Sequence, residues 1–416
     1  MAEPALDDNL LDVELIPTHR GAAHPLFDLW RETDPVHWNP VNPDYVSGGM
    51  SPVSRGFWVL TRHQDVFDVS RDQEKFTSWE HGFTVWDAEG EELARMQANF
   101  MGMRPEAHAA VKQVIVPPFS PKAMLDLEPV IVDAAREIID EVCERGECEF
   151  VFDVASKLPV YSFCELMGIP VEDRQTVVDC GNAMADIETI RDLDYDPYER
   201  LFGICARLTE EKRRVPDGRL LSAMANNEAL DLDQMQINNF FMVFAIAGHE
   251  TTRSTAAHFV NLMHRHPEQY ELLCSDVDAH LENAIEEVLR YTSTTTNFCR
   301  FAAEDCEVGG QPIKQGEKIF LSYAAANRDP AVFEDPHRFD ITRKNARKHL
   351  AFGTGPHVCV GARLARMQLK HLLREMITRL PDLKPSAEPT WLKSIWFNAI
   401  VDMPVTFTPS ATSSAS

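Results

Sequence analysis

The 416-residue chain has no CxxC pair among its nine cysteines, no Gly/Ser linker, no internal repeat and no long apolar run. Each absence excludes something. An odd cysteine count without paired spacing rules out a disulfide framework and a zinc ribbon, and it suits a reducing cytoplasm. The most apolar stretch, Phe240 to Gly248, is far shorter than the roughly 20 residues a spanning helix needs, and it runs into His249 and Glu250. Positive charge is scarce: 40 Lys+Arg stand against 65 Asp+Glu, for a net charge of −25. That balance argues against nucleic acid or an anionic membrane as the main partner. The first residues are acidic and lack the positive start of a signal peptide. The expectation is a soluble, cytoplasmic protein without a membrane span.

What is present is an ordinary globular balance, 44% hydrophobic and 25% charged, in a chain long enough to bury a large core. Disorder is expected only in the low-complexity tail, from about residue 410 to 416. The run FWVLT after Gly56 reads as a strand that leads into a helix. From about Lys122 to Ile285 the pattern is mainly helical, punctuated by prolines. Between Phe298 and Tyr323 alternation and a Gly-Gly turn predict short antiparallel strands. From Asn327 to Val360 there is little periodicity. Gly361 to Leu380 is helical again, and Thr390 to Thr408 reads as a hairpin. The expected fold class is mainly α with minor β, in a single domain over 1–416.

The sharpest local feature is the string from Phe352 to Gly361, FGTGPHVCVG, followed by a helix. Three glycines and a proline make a tightly turned backbone that can approach a flat object closely. Cys359 lies just before a helix N-terminus, where N–H groups and the helix dipole favour a thiolate. A second feature lies inside a long helix for which Asp231 and Asp233 are N-cap candidates. Its centre reads Ala247-Gly248-His249-Glu250-Thr251-Thr252. A mid-helix Gly costs about 1 kcal/mol relative to Ala. A buried helix carrying Gly, Glu and two Thr contradicts its own propensity, and such conflicts mark functional sites. A third is Glu287 and Arg290, three apart and so on one helix face.

These three strings resemble the cytochromes P-450, the haem-thiolate monooxygenases of bacteria, and the resemblance runs from about Trp30 to Val405. It implies the P-450 fold: a large helical domain with a long central helix over haem, and a small β-rich region. It implies haem b as cofactor, with Cys359 as the metal ligand and Phe352, Gly353, His357 and Gly361 as the loop around it. Ala247 and Gly248 would leave room for dioxygen and substrate. Glu250 and Thr251 would be the acid and alcohol that pass protons to activated oxygen. His249, at the variable position, is expected in helix packing or solvent rather than at iron. Glu287 and Arg290 would form a buried structural triad with Arg338 from the later Pro-rich stretch. His108, Lys112, Arg300 and His357 would contact the haem propionates. Lys112 stands where an arginine is usual, and Arg104 and Glu106 replace an acid and a proline of the common pattern.

The same resemblance implies partners: a ferredoxin, itself reduced by a separate NAD(P)H-dependent reductase, and dioxygen. The cations Arg343, Lys344, Arg347 and Lys348, with Arg363 and Arg366, are expected to form a basic island that steers the donor. By family topology the substrate pocket draws on Phe83, Trp86, Met184, Phe244, Thr294, Asn297, Ile395, Trp396 and Phe397. The lining is apolar or aromatic, which fits a hydrophobic terpenoid, steroid or lipid-like substrate. Other stretches, such as DPVHWNP and FTSWE, resemble bacterial members that act on such molecules. The leading function is hydroxylation. Two other readings stand beside it: a peroxide-using or isomerising haem-thiolate enzyme, and a non-catalytic haem-thiolate ligand sensor.

Overall fold

The computed structural model describes residues 5–12, 24–45, 52–185 and 194–413. The chain divides into two compact units. One comprises Met1–His108, Glu286–Cys359 and Trp391–Asn398; the other comprises Ala109–Ile285, Val360–Thr390 and Ala399–Ser416.

The first unit is built on a five-stranded mixed sheet in the order Val36–Asn39, Phe57–Leu60, Lys318–Ser322, Asn297–Ala302, Phe76–Thr77. Phe57–Leu60 runs parallel to Lys318–Ser322 with Trp58 opposite Ile319. The other pairings are antiparallel. Side-chain alternation sorts the core to the two faces. Phe57, Val59 and Phe320 join Leu26, Phe27 and Trp30 on one side. Leu60, Ile319 and Leu321 join Val66, Val69 and Tyr323 on the other. The central strand Lys318–Ser322 is therefore buried at every position. The predicted Gly-Gly turn is present: Gly309 and Gly310, at φ +58° and +89°, join strands Cys306–Val308 and Gln311–Ile313. Both residues sit where only glycine is at ease.

The second unit is mainly helical. Its longest element is the helix Gln234–Arg265. Of the two cap candidates Asp233 serves: it accepts from Gln236 N at 2.7 Å, and its own N–H donates to Gln236 Oε1 at 3.0 Å. This reciprocal box satisfies two end donors at once. Phe241 on this helix meets Phe163 edge-on at 5.0 Å. The helix Ala362–Arg379 follows the cysteine loop as expected.

Two expectations for the C-terminal stretch are corrected. Thr390–Trp391 does pair with Ile400–Asp402, but the hairpin does not take in the whole stretch, because Pro404–Thr406 pairs antiparallel with both Glu147–Glu149 and Lys384–Pro385. Nor are residues 410–413 loose, while 414–416 lie outside the described residues. Ser410 N donates to Cys143 O at 2.9 Å, and Ser413 N donates to Asp140 Oδ1 at 2.7 Å. Among the described residues no helix is long and apolar enough to cross a membrane.

Candidate active site

The cysteine loop belongs to the first unit. Gly353 and Gly355 adopt φ +64° and +70°. A Cβ on Gly355 would meet Ser70 O at 2.8 Å, so the turn tolerates no side chain there. Cys359 N donates to Phe352 O at 2.9 Å, which closes the loop on itself. Cys359 is exposed at the end of this loop.

A buried ionic cluster holds the approach to the loop. Arg290 grips Glu287 with two parallel bonds, Nε to Oε2 at 2.7 Å and Nη2 to Oε1 at 2.8 Å. Both side chains are fully buried. Here the structure corrects the expected triad. Arg338 is exposed and gives only its main-chain carbonyl, which accepts from Arg290 Nη2 at 3.3 Å. Its place is taken by Arg343, whose Nε donates to Glu287 Oε1 at 3.2 Å. Arg343 also donates to the carbonyls of Glu334 at 2.6 Å, Asp335 at 3.1 Å and Arg338 at 3.0 Å. The loop 334–343 wraps around its guanidinium, and that wrapping turns Arg338 outward. Arg343 is thereby removed from the expected basic island, where Lys344, Arg347 and Lys348 are all exposed.

Two further links escape sequence reasoning. The Asn327 side chain accepts from Leu350 N at 2.6 Å, and its carbonyl accepts from Arg290 Nη1 at 2.9 Å. Glu286 meets His349 Nε2 at 3.1 Å, while His349 Nδ1 accepts from Ala351 N at 3.1 Å. The second bond fixes the tautomer, so Nε2 carries the proton that Glu286 accepts. A signal exists in the sequence: a second Glu precedes Glu287, and a His opens the HLAFG string.

Of the expected propionate contacts, His108 and His357 are brought together, with ring centroids 4.3 Å apart. Phe100 stacks on His108 at 5.1 Å. Arg300 is 5% exposed and donates to Cys299 O at 2.8 Å. Among the described residues no carboxylate pairs with it, and burial lowers the pKa of its guanidinium. A cation held this way calls for an anion. Lys112 lies on the helix Pro105–Ile115, and burial lowers its pKa.

In the second unit the long helix bares its centre. Ala247 and Gly248 are exposed, and a Cβ on Gly248 would meet nothing within 4 Å. Thr251 Oγ1 donates to Ala247 O at 2.8 Å. Glu250 is 4% exposed and engaged at both oxygens: Oε2 accepts from Arg253 Nη2 at 2.5 Å and Oε1 from Ser254 Oγ at 2.9 Å. The acid and the alcohol are adjacent in sequence, and each is satisfied along its own helix. Arg253 and Ser254 escape the motif reading, although i+3 and i+4 spacing from Glu250 points to them. His249 packs inside, beside Gly181, and burial together with Arg253 lowers its pKa to about 3. A neutral, buried imidazole there is a packing residue.

Aromatic side chains expected around substrate gather in the first unit. Phe83 lies 6.2 Å from Phe298, and Trp86 meets Trp396 edge-on at 5.7 Å. Thr294 and Asn297 are buried beside the 395–398 turn. Asn297 Nδ2 donates to Ile395 O at 2.6 Å, and Thr294 O accepts from Asn398 N at 2.8 Å. Phe397 stacks on Trp396 at 5.0 Å. Phe244, in the second unit, stacks on Phe119 at 6.1 Å. The side chain of Met184 lies outside the described residues.

In the first unit, an exposed thiol on a glycine-braced loop and a buried guanidinium that meets no carboxylate among the described residues fit a thiolate-ligated, anionic, planar cofactor. The comparisons agree. The family model described as Cytochrome P450 matches residues 206–396. A steroid C26-monooxygenase of Mycolicibacterium smegmatis is 33% identical, covering 98% of this chain and 95% of its own. A linalool 8-monooxygenase of Pseudomonas putida is 29% identical over 98% of this chain and 100% of its own. A Mycobacterium marinum cytochrome P450 solved in complex with pseudoionone superposes with a TM-score of 0.85 at 31% identity, covering 96% of this chain and 99% of that one. The chain belongs to the cytochrome P450 family. It is a haem-iron monooxygenase with the mainly helical fold and small sheets of that family.

Proposed function

We propose that this monooxygenase hydroxylates a hydrophobic small molecule of terpenoid, steroid or lipid type, with electrons from a ferredoxin served by an NAD(P)H-dependent reductase. The carrying observation is Cys359, exposed at the end of a loop whose backbone the glycines and the Cys359–Phe352 bond hold in place. In this reading Cys359 ligates the haem iron, and Arg300, His108, His357 and Lys112 receive the propionates. Phe352, Gly353 and Gly361 shape the loop, and Ala247 and Gly248 keep the oxygen side clear. Cys359 would hold the haem iron, and the bound group would supply the chemistry of oxygen activation, made more effective by an electron-rich thiolate ligand.

The chain's own residues manage protons and water. The Thr251 hydroxyl already donates its proton to Ala247 O, so its lone pairs are available to order a proton donor. Glu250 is a held carboxylate; to carry a proton it must exchange Arg253 or Ser254 for water. The aromatic group of Phe83, Trp86, Phe298 and Trp396 offers a substrate apolar surface with few polar partners. Support for the substrate class also comes from relatives. The names of those about 30% identical include a steroid C26-monooxygenase, a methyl-branched lipid omega-hydroxylase and a linalool 8-monooxygenase. Nine cysteines with no disulfide among them suit a cytoplasmic setting. The test is spectral. Reduced protein under carbon monoxide should show the red-displaced Soret band of thiolate ligation, and Cys359→Ser should abolish it. A wild-type preparation without that band defeats the reading.

A further inference from the structure

Residues 83–88 form neither helix nor strand, yet every one is buried. Irregular buried backbone must find its hydrogen-bond partners elsewhere. Phe83 O accepts from Cys299 N at 2.8 Å, and Asp87 N donates to Pro52 O at 2.9 Å. Between them Val85 O accepts from the Nζ of Lys318 at 2.5 Å. The same ammonium donates to Asp87 Oδ1 at 2.6 Å. Asp87 Oδ2 accepts from Ser54 N at 2.7 Å, Ser54 Oγ at 2.9 Å and Arg55 N at 3.2 Å. Arg55 Nε lies 3.2 Å from Oδ1. Desolvation alone would push the Asp87 carboxyl up, but Lys318 and the Ser54 donors hold it below its ordinary value.

Lys318 is 0% exposed and sits in the central strand of the sheet, covered on both faces. An apolar residue would suit that strand better, since a buried ion pair is seldom a net source of stability. What the pair does provide is placement. Trp86 Nε1 donates to Tyr45 Oη at 3.1 Å. Trp396 stands 5.8 Å from Phe298 and stacks on Phe397 at 5.0 Å. Lys318 therefore anchors the segment that carries Phe83 and Trp86 against these rings.

We propose that Lys318 and Asp87 are specificity-determining positioning residues: their pair locks 83–88, so that Phe83 and Trp86 form one rigid aromatic wall with Phe298, Trp396 and Phe397. A preorganised wall selects by shape and favours ring-bearing or branched hydrophobic molecules over unbranched chains. The inference rests on the haem reading and on assigning this wall to substrate.

The experiment compares wild type, Lys318→Met and the charge-balanced Lys318→Met/Asp87→Asn as haem-loaded full chains. Testosterone, linalool and palmitic acid are titrated spectrally, and backbone hydrogen exchange of 83–88 is read alongside. Wild type should prefer testosterone and linalool. In both variants exchange of 83–88 should rise, and that preference should shrink by about tenfold, with the carbon monoxide band retained. Preferences within about twofold of wild type in a variant that keeps its haem overturn the proposal. So does loss of haem or fold in both variants, which would make the pair structural only. If wild type itself lacks the thiolate band, the haem reading fails separately; unchanged exchange at 83–88 would then overturn the pin on its own.

Discussion

Arg343→Met and Arg338→Ala together separate the clamp the structure contains from the one the sequence pattern suggests. Methionine keeps most of the apolar stem of Arg343 and deletes its donors. Lost are the bond to Glu287 at 3.2 Å and those to the carbonyls of Glu334 at 2.6 Å, Asp335 at 3.1 Å and Arg338 at 3.0 Å. Glu287 retains Arg290, so its charge is not stranded, but three carbonyls and one carboxylate oxygen lose a cationic partner. Each buried acceptor left without its donor costs about 1–3 kcal/mol. Against a total stability of about 5–15 kcal/mol, that is a large loss. Arg338→Ala removes an exposed side chain and leaves its working carbonyl in place, at a cost within about 0.5 kcal/mol. Urea unfolding, followed by tryptophan fluorescence and by haem absorbance, reads both. The midpoint should fall sharply for Arg343→Met and barely move for Arg338→Ala. Equal losses, or a harmless Arg343→Met, would refute the assignment of Arg343.

Thr251→Ala should keep haem and ligand binding but divert reductant to hydrogen peroxide, measured as peroxide formed per NADH consumed; unchanged coupling rejects the role given to this hydroxyl. His249 has a folded-state pKa of about 3 against about 6.5 when unfolded, so the unfolded chain binds the proton more readily. Its contribution is complete above about pH 6.5 and is lost as pH falls toward 3, by roughly 1.4 kcal/mol per unit. Acid unfolding of His249→Leu should therefore show a flatter limb across that window, and an unaltered limb would place the acid sensitivity elsewhere. Reversing Lys344, Arg347 and Lys348 to Glu should weaken ferredoxin binding at low salt, with the difference fading as ionic strength rises. Salt-independent affinity in both proteins would dismiss these cations as a docking feature.

The parts of the molecule legible in the sequence are those whose signals are local. The glycines of the cysteine loop, the Asp233 box and the Gly309–Gly310 turn each declare a backbone conformation within a few residues. What escapes is decided by long-range routing. Arg338 and Arg343 lie in one aperiodic stretch, and nothing near either shows which side chain the loop 334–343 will enclose. Lys318 reads as the polar member of an alternating strand, because coverage of both faces depends on neighbours far away in sequence. Pro404–Thr406 likewise finds its partner at Glu147–Glu149, across most of the helical part of the chain. At Glu250 and Thr251 the residue types are readable, but the bonds each makes along its own helix are not.

The nine cysteine thiols of this chain do not compete on equal terms for a soft metal. Burial holds the thiols of Cys148, Cys164, Cys205 and Cys299 up at about 12 and that of Cys180 at about 11, so they stay protonated and inert toward iron. Besides Cys359 only Cys274 is exposed. In the proposed reading, selection of Cys359 by the prosthetic group owes as much to the burial of these five thiols as to its own exposure.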